Sequence, residues 1–182
     1  MVRIMNLKKL KILNIVIIFL LSFLAHNLYN WFPNTFTSIF FPVNESIFEH
    51  MKIIATCFLF YGIIEFFLLK YFKITFSNYL LSLFLSATLG IIFYLVLYIP
   101  IYLFISRSMI FTIVLLFITY IFMNIISYYI LNQKQVGYLE NVSIIFMIVL
   151  YLMFGYFTYQ PPHNFLFFDT VEEKYGINEY LL

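Results

Sequence analysis

Charge is what this chain lacks most. Asp, Glu, Lys and Arg make up 10% of its 182 residues, against about a quarter in a soluble domain. With 64% of the residues hydrophobic, a soluble globular fold is excluded and an integral membrane protein is predicted. A formal charge of +2 is too small for a nucleic-acid partner, which needs a basic patch or stripe. Cysteine is limited to Cys57; an intrachain disulfide is excluded, and the residue reads as a small apolar filler. Alanine is scarce (Ala25, Ala55 and Ala87), while Phe, Tyr, Ile and Leu dominate. So broad a bias gives no single aromatic a functional meaning. There is no Gly/Ser/Pro-rich linker, internal repeat or coiled-coil heptad, which leaves one integral membrane domain over residues 1–182.

What the chain does have is long apolar runs. A membrane-crossing helix needs about 20 mainly apolar residues. Five stretches qualify, at about 10–29, 51–72, 78–98, 109–131 and 141–159. The predicted fold class is an all-α, polytopic transmembrane helix bundle. The second helix is expected to start early, at Glu45. Pro100 interrupts the apolar segment 99–106, which is read as a kinked end or an interfacial turn; a sixth short span there stays open. Lys and Arg near the span ends set the orientation. Arg3, Lys8, Lys9, Lys11, Lys70, Lys73 and Lys134 fall on one side, and Lys52, Arg107 and Lys174 on the other. The N-terminus is therefore predicted inside and the tail 160–182 outside. A cleaved signal peptide competes for the N-terminal run, but Leu24-Ala25-His26 lacks a small-x-small cleavage pattern.

Five crossings bring all three histidines, His26, His50 and His163, to the outer rim with Glu45, Glu49 and Asp169. A plain capping reading covers part of this. Asn44 suits the N-cap of the second helix, with Val43 and Phe48 at staple positions and Glu45 and Glu49 near the positive end of the helix dipole. In that register Glu45 and Glu49 share a face at i,i+4. An alternative register makes Ser46-x-x-Glu49 a capping box. Neither accounts for His50. In the tail, Pro161-Pro162 would stop the last helix and hold His163 over the bundle, and the apolar stretch 165–168 should fold back, carrying Asp169 with it.

Imidazoles and carboxylates on one rim suit a borderline cation such as zinc. In that reading His26, His50, His163 and Asp169 are the metal ligands, and Glu45 and Glu49 supply the catalytic carboxylate chemistry. A site at headgroup level points to hydrolysis of a lipid or envelope component. The rival reading is a non-enzymatic transporter or a membrane partner subunit. It rests on Glu65, deep in the second span, and on Asn14 and Asn124 at comparable depth in the first and fourth, a polar cluster inside the membrane.

The run Pro42-Val43-Asn44-Glu45-Ser46, followed by Glu49-His50, resembles the signature of a family of small bacterial membrane proteins of unknown function. Pro161-Pro162-His163, Asp169 and Tyr175-Gly176-Ile177 are similar to that family's C-terminal block, although Phe168 and Thr170 depart from its usual pattern. The resemblance implies a multi-pass protein of the bacterial cytoplasmic (inner) membrane, with the lipid bilayer as its partner. It implies no activity and supplies no catalytic residue.

Overall fold

In lipid, every backbone N–H and C=O must be satisfied within the chain's own helices, and long helices dominate the architecture. The computed structural model describes residues 5–105 and 108–177; Arg3 and Arg107 of the charge reading, and tail residues 178–182, lie outside the described residues. The helices are α1 (Leu7–Trp31), α2 (Thr35–Phe40), α3 (Ile47–Tyr71), α4 (Tyr79–Ile105), α5 (Met109–Leu131) and α6 (Gly137–Tyr159). All but the short α2 are long and apolar enough to cross a membrane, five in total, the make-up of a multi-pass membrane protein.

The bounds of α5 are those expected from the sequence. The α4 helix is longer than its predicted span: it runs on through Pro100 to Ile105, so of the two readings of this segment, a kinked end or an interfacial turn, residues 99–105 continue the helix and do not form the turn. Proline removes one helical hydrogen bond, and the helix continues past that gap. The α2 helix lies between the first two predicted spans, where no helix was expected. Asn34 caps it, accepting from the Thr37 N–H (3.0 Å), while the Thr37 hydroxyl accepts from the Asn34 N–H (3.1 Å).

Helix α3 is the centre of the bundle. Two thirds (67%) of its apolar window is buried, against at most 33% for any other span. It packs against α1 and α4, α5 closes against α1 and α4, and α6 lies outside against α4 and α2. The histidine-bearing ends of α1 and α3 and the end of α6 form one end of the bundle, called here the histidine end.

The tail folds over that end. Two-residue strands β1 (Phe168–Asp169) and β2 (Lys174–Tyr175) pair antiparallel, with Phe168 opposite Tyr175 and Asp169 opposite Lys174. Phe167 packs on Phe48 (ring centroids 4.6 Å apart), and the Phe48 N–H donates to the Leu166 carbonyl at 2.9 Å. Gly176 closes the hairpin onto α6 at φ +55°, where an added Cβ would stand 2.6 Å from the Thr158 carbonyl oxygen. For an L-residue that left-handed backbone alone costs about 1–2 kcal/mol. Gly176→Ala should therefore lift the hairpin off the bundle, and limited proteolysis of the folded protein should cut within 160–177 faster. Unchanged cleavage would show that Gly176 does not hold the hairpin down.

Candidate functional site

The site is built on the start of α3. Ser46, not Asn44, is the N-cap: its hydroxyl accepts from the Glu49 N–H at 3.3 Å. Asn44 does other work. Its Oδ1 accepts from the Ser46 N–H (2.9 Å), and its Nδ2 donates to the Gly176 carbonyl (3.1 Å). The preferred capping register is corrected by two residues, with consequences for both glutamates. Glu45 falls before the helix and does not share a helical face with Glu49. Glu49 turns inward, wholly buried, and pairs with Lys52 at 2.6 Å.

Glu45 reaches across to α1. Its Oε1 lies 3.3 Å from His26 Nε2 and its Oε2 lies 3.8 Å from His50 Nε2. The two imidazoles meet edge to face with centroids 5.7 Å apart. One nitrogen from each histidine and one Glu45 oxygen all lie within 4.8 Å of one another, the one such grouping of His, Cys, Asp and Glu among the described residues.

The other nitrogen of His50 fixes which tautomer the neutral ring adopts. His50 Nδ1 lies 2.8 Å from the Ser46 carbonyl oxygen. A carbonyl only accepts, so Nδ1 carries a proton and Nε2 of the neutral ring is a lone pair aimed toward Glu45. A proton or a metal ion on Nε2 would each suit that approach to the carboxylate.

Asp169 acts as a buttress. It is fully buried; Oδ2 accepts from the Glu45 N–H (2.8 Å), and Oδ1 from the N–H groups of Val171 (2.7 Å) and Glu172 (3.3 Å). His163 stacks on Tyr175, centroids 4.5 Å apart. Of the rim residues singled out in the sequence, the structure thus brings His26, Glu45 and His50 together. Glu49 is placed in a buried ion pair, Asp169 against backbone and His163 in the hairpin.

Two spaces meet at the cluster. A cleft of ≈ 280 Å³ runs between α1, α3 and α5, with His26, Glu45 and His50 at its head and Phe23, Ile113 and Leu116 below. On the other side His26 and Glu45 border a chamber of ≈ 40 Å³ with Asn30, Asn44 and Glu172.

Within the spans, Glu65 is buried against Lys11, whose Nζ lies 2.6 Å from Oε1. Asn14 Nδ2 donates to the same oxygen (2.5 Å) and Asn14 Oδ1 accepts from the Tyr61 hydroxyl (2.7 Å). Lys11 also donates to Ser127 (2.5 Å), which in turn meets Ser82 (2.6 Å). Asn124 does not join by any such bond: its Nδ2 donates to the Tyr120 carbonyl (2.9 Å) on its own helix, and its Oδ1 has no hydrogen-bond partner among the described residues.

A family model matches residues 1–177, nearly the whole chain. The chain belongs to DUF6512, a family of unknown function. No curated protein and no solved structure matches it. The extent of the DUF6512 match takes in the hairpin and Glu172 as well as the spans.

The structure gives three residues of this DUF6512 chain surroundings that the sequence reading missed. Lys11 and Lys52 entered that reading only as charges that set orientation, and both are buried counter-ions. The Glu49-x-x-Lys52 spacing, an i,i+3 pair on one helix face, was the available signal for one of them. Lys11 and Glu65 are distant in sequence and offered none. Glu172, in the tail predicted outside, is exposed and lines the small chamber with Glu45. An aspartate just ahead of N–H groups two and three residues on is an Asx-turn signature, and that turn sets Glu172 beside Glu45.

Proposed function

We propose that this membrane protein holds a divalent transition metal, zinc fitting best, on His26, Glu45 and His50, and uses it to hydrolyse a lipid or envelope substrate at the outer face. The observation that carries this reading is His50 itself. Its Nδ1 is tied to the Ser46 carbonyl, and its Nε2 faces the Glu45 carboxylate, as metal-binding histidines are held by a hydrogen bond on the far nitrogen.

Two histidines and one glutamate form a known catalytic zinc ligand set, with the fourth position open to water. Zinc bonds of about 2.0–2.1 Å set tetrahedral ligand atoms roughly 3.3 Å apart. The two imidazoles approach different oxygens of the one Glu45 carboxylate, at 3.3 and 3.8 Å, and one ligand atom from each of the three residues lies within 4.8 Å of the others, so a small inward shift of the side chains would close them on an ion. The metal would lower the pKa of a bound water toward neutrality and polarise the bond under attack. Of the carboxylates assigned to catalysis from the sequence, Glu45 stands at the site, and Glu49 is engaged by Lys52.

Elemental analysis of protein purified in mild detergent tests this. About one zinc per chain is expected, released by chelator and by acidification, because protons compete for imidazole nitrogen. Protein that neither carries nor takes up zinc overturns the reading. Asp169→Ala removes no ligand but frees the Glu45 backbone. It should weaken zinc binding roughly 10–100-fold, the usual effect of losing a partner that orients a ligand; unchanged affinity would count against the buttress role.

The network around Glu65 supports the transporting alternative less. Oε1 is held by both Lys11 and Asn14, which suits a lock between helices better than a carrier site.

A further inference from the structure

We propose that the cleft receives a single acyl chain from the bilayer, setting the chain's ester carbonyl on the His26–Glu45–His50 cluster, while water arrives from the chamber on the other side with Glu172 as its base. This rests on the metal reading above and names the substrate class for it.

The shape of the cleft selects the chain. Its α5 wall runs from Met109 to Leu116, seven residues or about 10 Å along the axis at 1.5 Å per residue. Phe23 and Met109 at its edge are exposed, so it opens sideways between α1 and α5, where hydrocarbon would lie against the helices. A volume of ≈ 280 Å³ holds about nine water-sized groups at roughly 30 Å³ each, enough for part of one chain and too little for two. The hydroxyls on its walls are turned to backbone: Ser22 donates to Phe19 and Thr112 to Ser108. Polarity is concentrated at the head, and apolar surface lies below it, the arrangement an amphiphile matches.

The bond under attack follows from spacing. Phe23 precedes His26 by three residues, and Ile53 follows His50 by three, so each apolar wall residue sits one turn from a ligand on the same helix side. A chain lying against Phe23 and Ile53 brings its own first carbon to the metal. That carbon is the acyl carbonyl. A phosphodiester sits several atoms beyond the chain and would be held away from the cluster.

Water has its own entrance. The chamber of ≈ 40 Å³ exceeds the roughly 30 Å³ share of one water, and His26, Asn30, Asn44, Glu45 and Glu172 give it polar partners. Glu172, ion-paired with Lys174, takes a proton from this water as its oxygen bonds to the carbonyl carbon. The tetrahedral adduct collapses with cleavage of the acyl C–O bond, and Glu172 returns the proton to the leaving oxygen. The products are a fatty acid and the deacylated alcohol.

The test uses full-length, zinc-loaded protein in phosphatidylcholine vesicles containing a lysophosphatidylcholine whose acyl chain bears a diazirine. Photolabelling should concentrate on 23–27 and 109–116, and free fatty acid should be released. Leu116→Trp, which fills the floor of the cleft, should cut both by about tenfold or more while zinc stays bound. Because an overpacked variant can fail to fold, Ile113→Cys blocked with a maleimide after folding makes the same comparison. Glu172→Gln should keep zinc and labelling but lose at least about 100-fold in fatty-acid release, the ordinary contribution of a general base. Zinc bound with label spread evenly over the lipid-facing helices, or label indifferent to cleft blocking, overturns this proposal and leaves the metal reading standing. Release unaffected by Glu172→Gln overturns the role given to Glu172. Absence of zinc from the unaltered protein overturns both readings together.

Discussion

His50→Ala should weaken zinc binding by more than about 100-fold, since losing even a residue that only orients a ligand costs 10–100-fold. The variant leaves His26 and Glu45 as a two-point site, and two protein ligands do not make the three-ligand set of a catalytic zinc. His26→Ala should behave alike. His163→Ala is the informative control. From the sequence alone it belongs with the other histidines, but its ring is stacked on Tyr175, so its loss should leave zinc affinity unchanged within about twofold, a context-dependent margin well below the effect of losing a ligand. Competition against a chromophoric chelator measures all three. Equal losses for His50→Ala and His163→Ala would mean that the tail carries a ligand after all, and retention of zinc by His50→Ala would remove the site.

Lys52→Met should destabilise the fold by about 3–5 kcal/mol, the usual consequence of leaving one member of a buried ion pair without its partner. The effect is large because of where the pair sits. Lys52 Nζ contacts Glu49 at 2.6 Å and donates to the Ser38 carbonyl (2.8 Å) and the Thr158 hydroxyl (2.6 Å). Glu49 also accepts from the Val43 N–H at 3.0 Å. One ammonium thus joins α2, α3 and α6 beneath the histidine end. Replacing both members, Glu49→Leu with Lys52→Met, should recover much of the loss, because no uncompensated charge then remains. Denaturant titration in bicelles follows the series. A double variant as unstable as the single ones would show that the neutral hydrogen bonds, rather than the charge pairing, dominate.

Much of the fold was legible because lipid imposes one rule. A run of about 20 apolar residues in a membrane has few options besides a helix, and the helices follow the runs, with α5 at the expected bounds and α4 longer past Pro100. Local capping was legible too, but two registers competed at Asn44 and Ser46. Propensity cannot choose between them, because both residue types cap well. In the structure the Asn44 oxygen that would cap accepts from the Ser46 N–H while its Nδ2 is held on the Gly176 carbonyl of the tail, and the cap falls to Ser46. That two-residue shift sends Glu45 toward the histidines and Glu49 into the interior.

The sequence by itself determined that this chain has five helices long and apolar enough to cross a membrane and that ionisable residues gather toward one end. Hydrophobic length and charge content are one-dimensional properties, so they can be read along the chain. Tertiary structure alone decided which carboxylate meets which cation: Glu65 with Lys11, Glu49 with Lys52, Glu45 with His26 and His50, and Asp169 with backbone N–H groups. Those pairings depend on helix rotation and on the path of the tail across the bundle, which are set by packing in three dimensions and leave no trace in residue spacing.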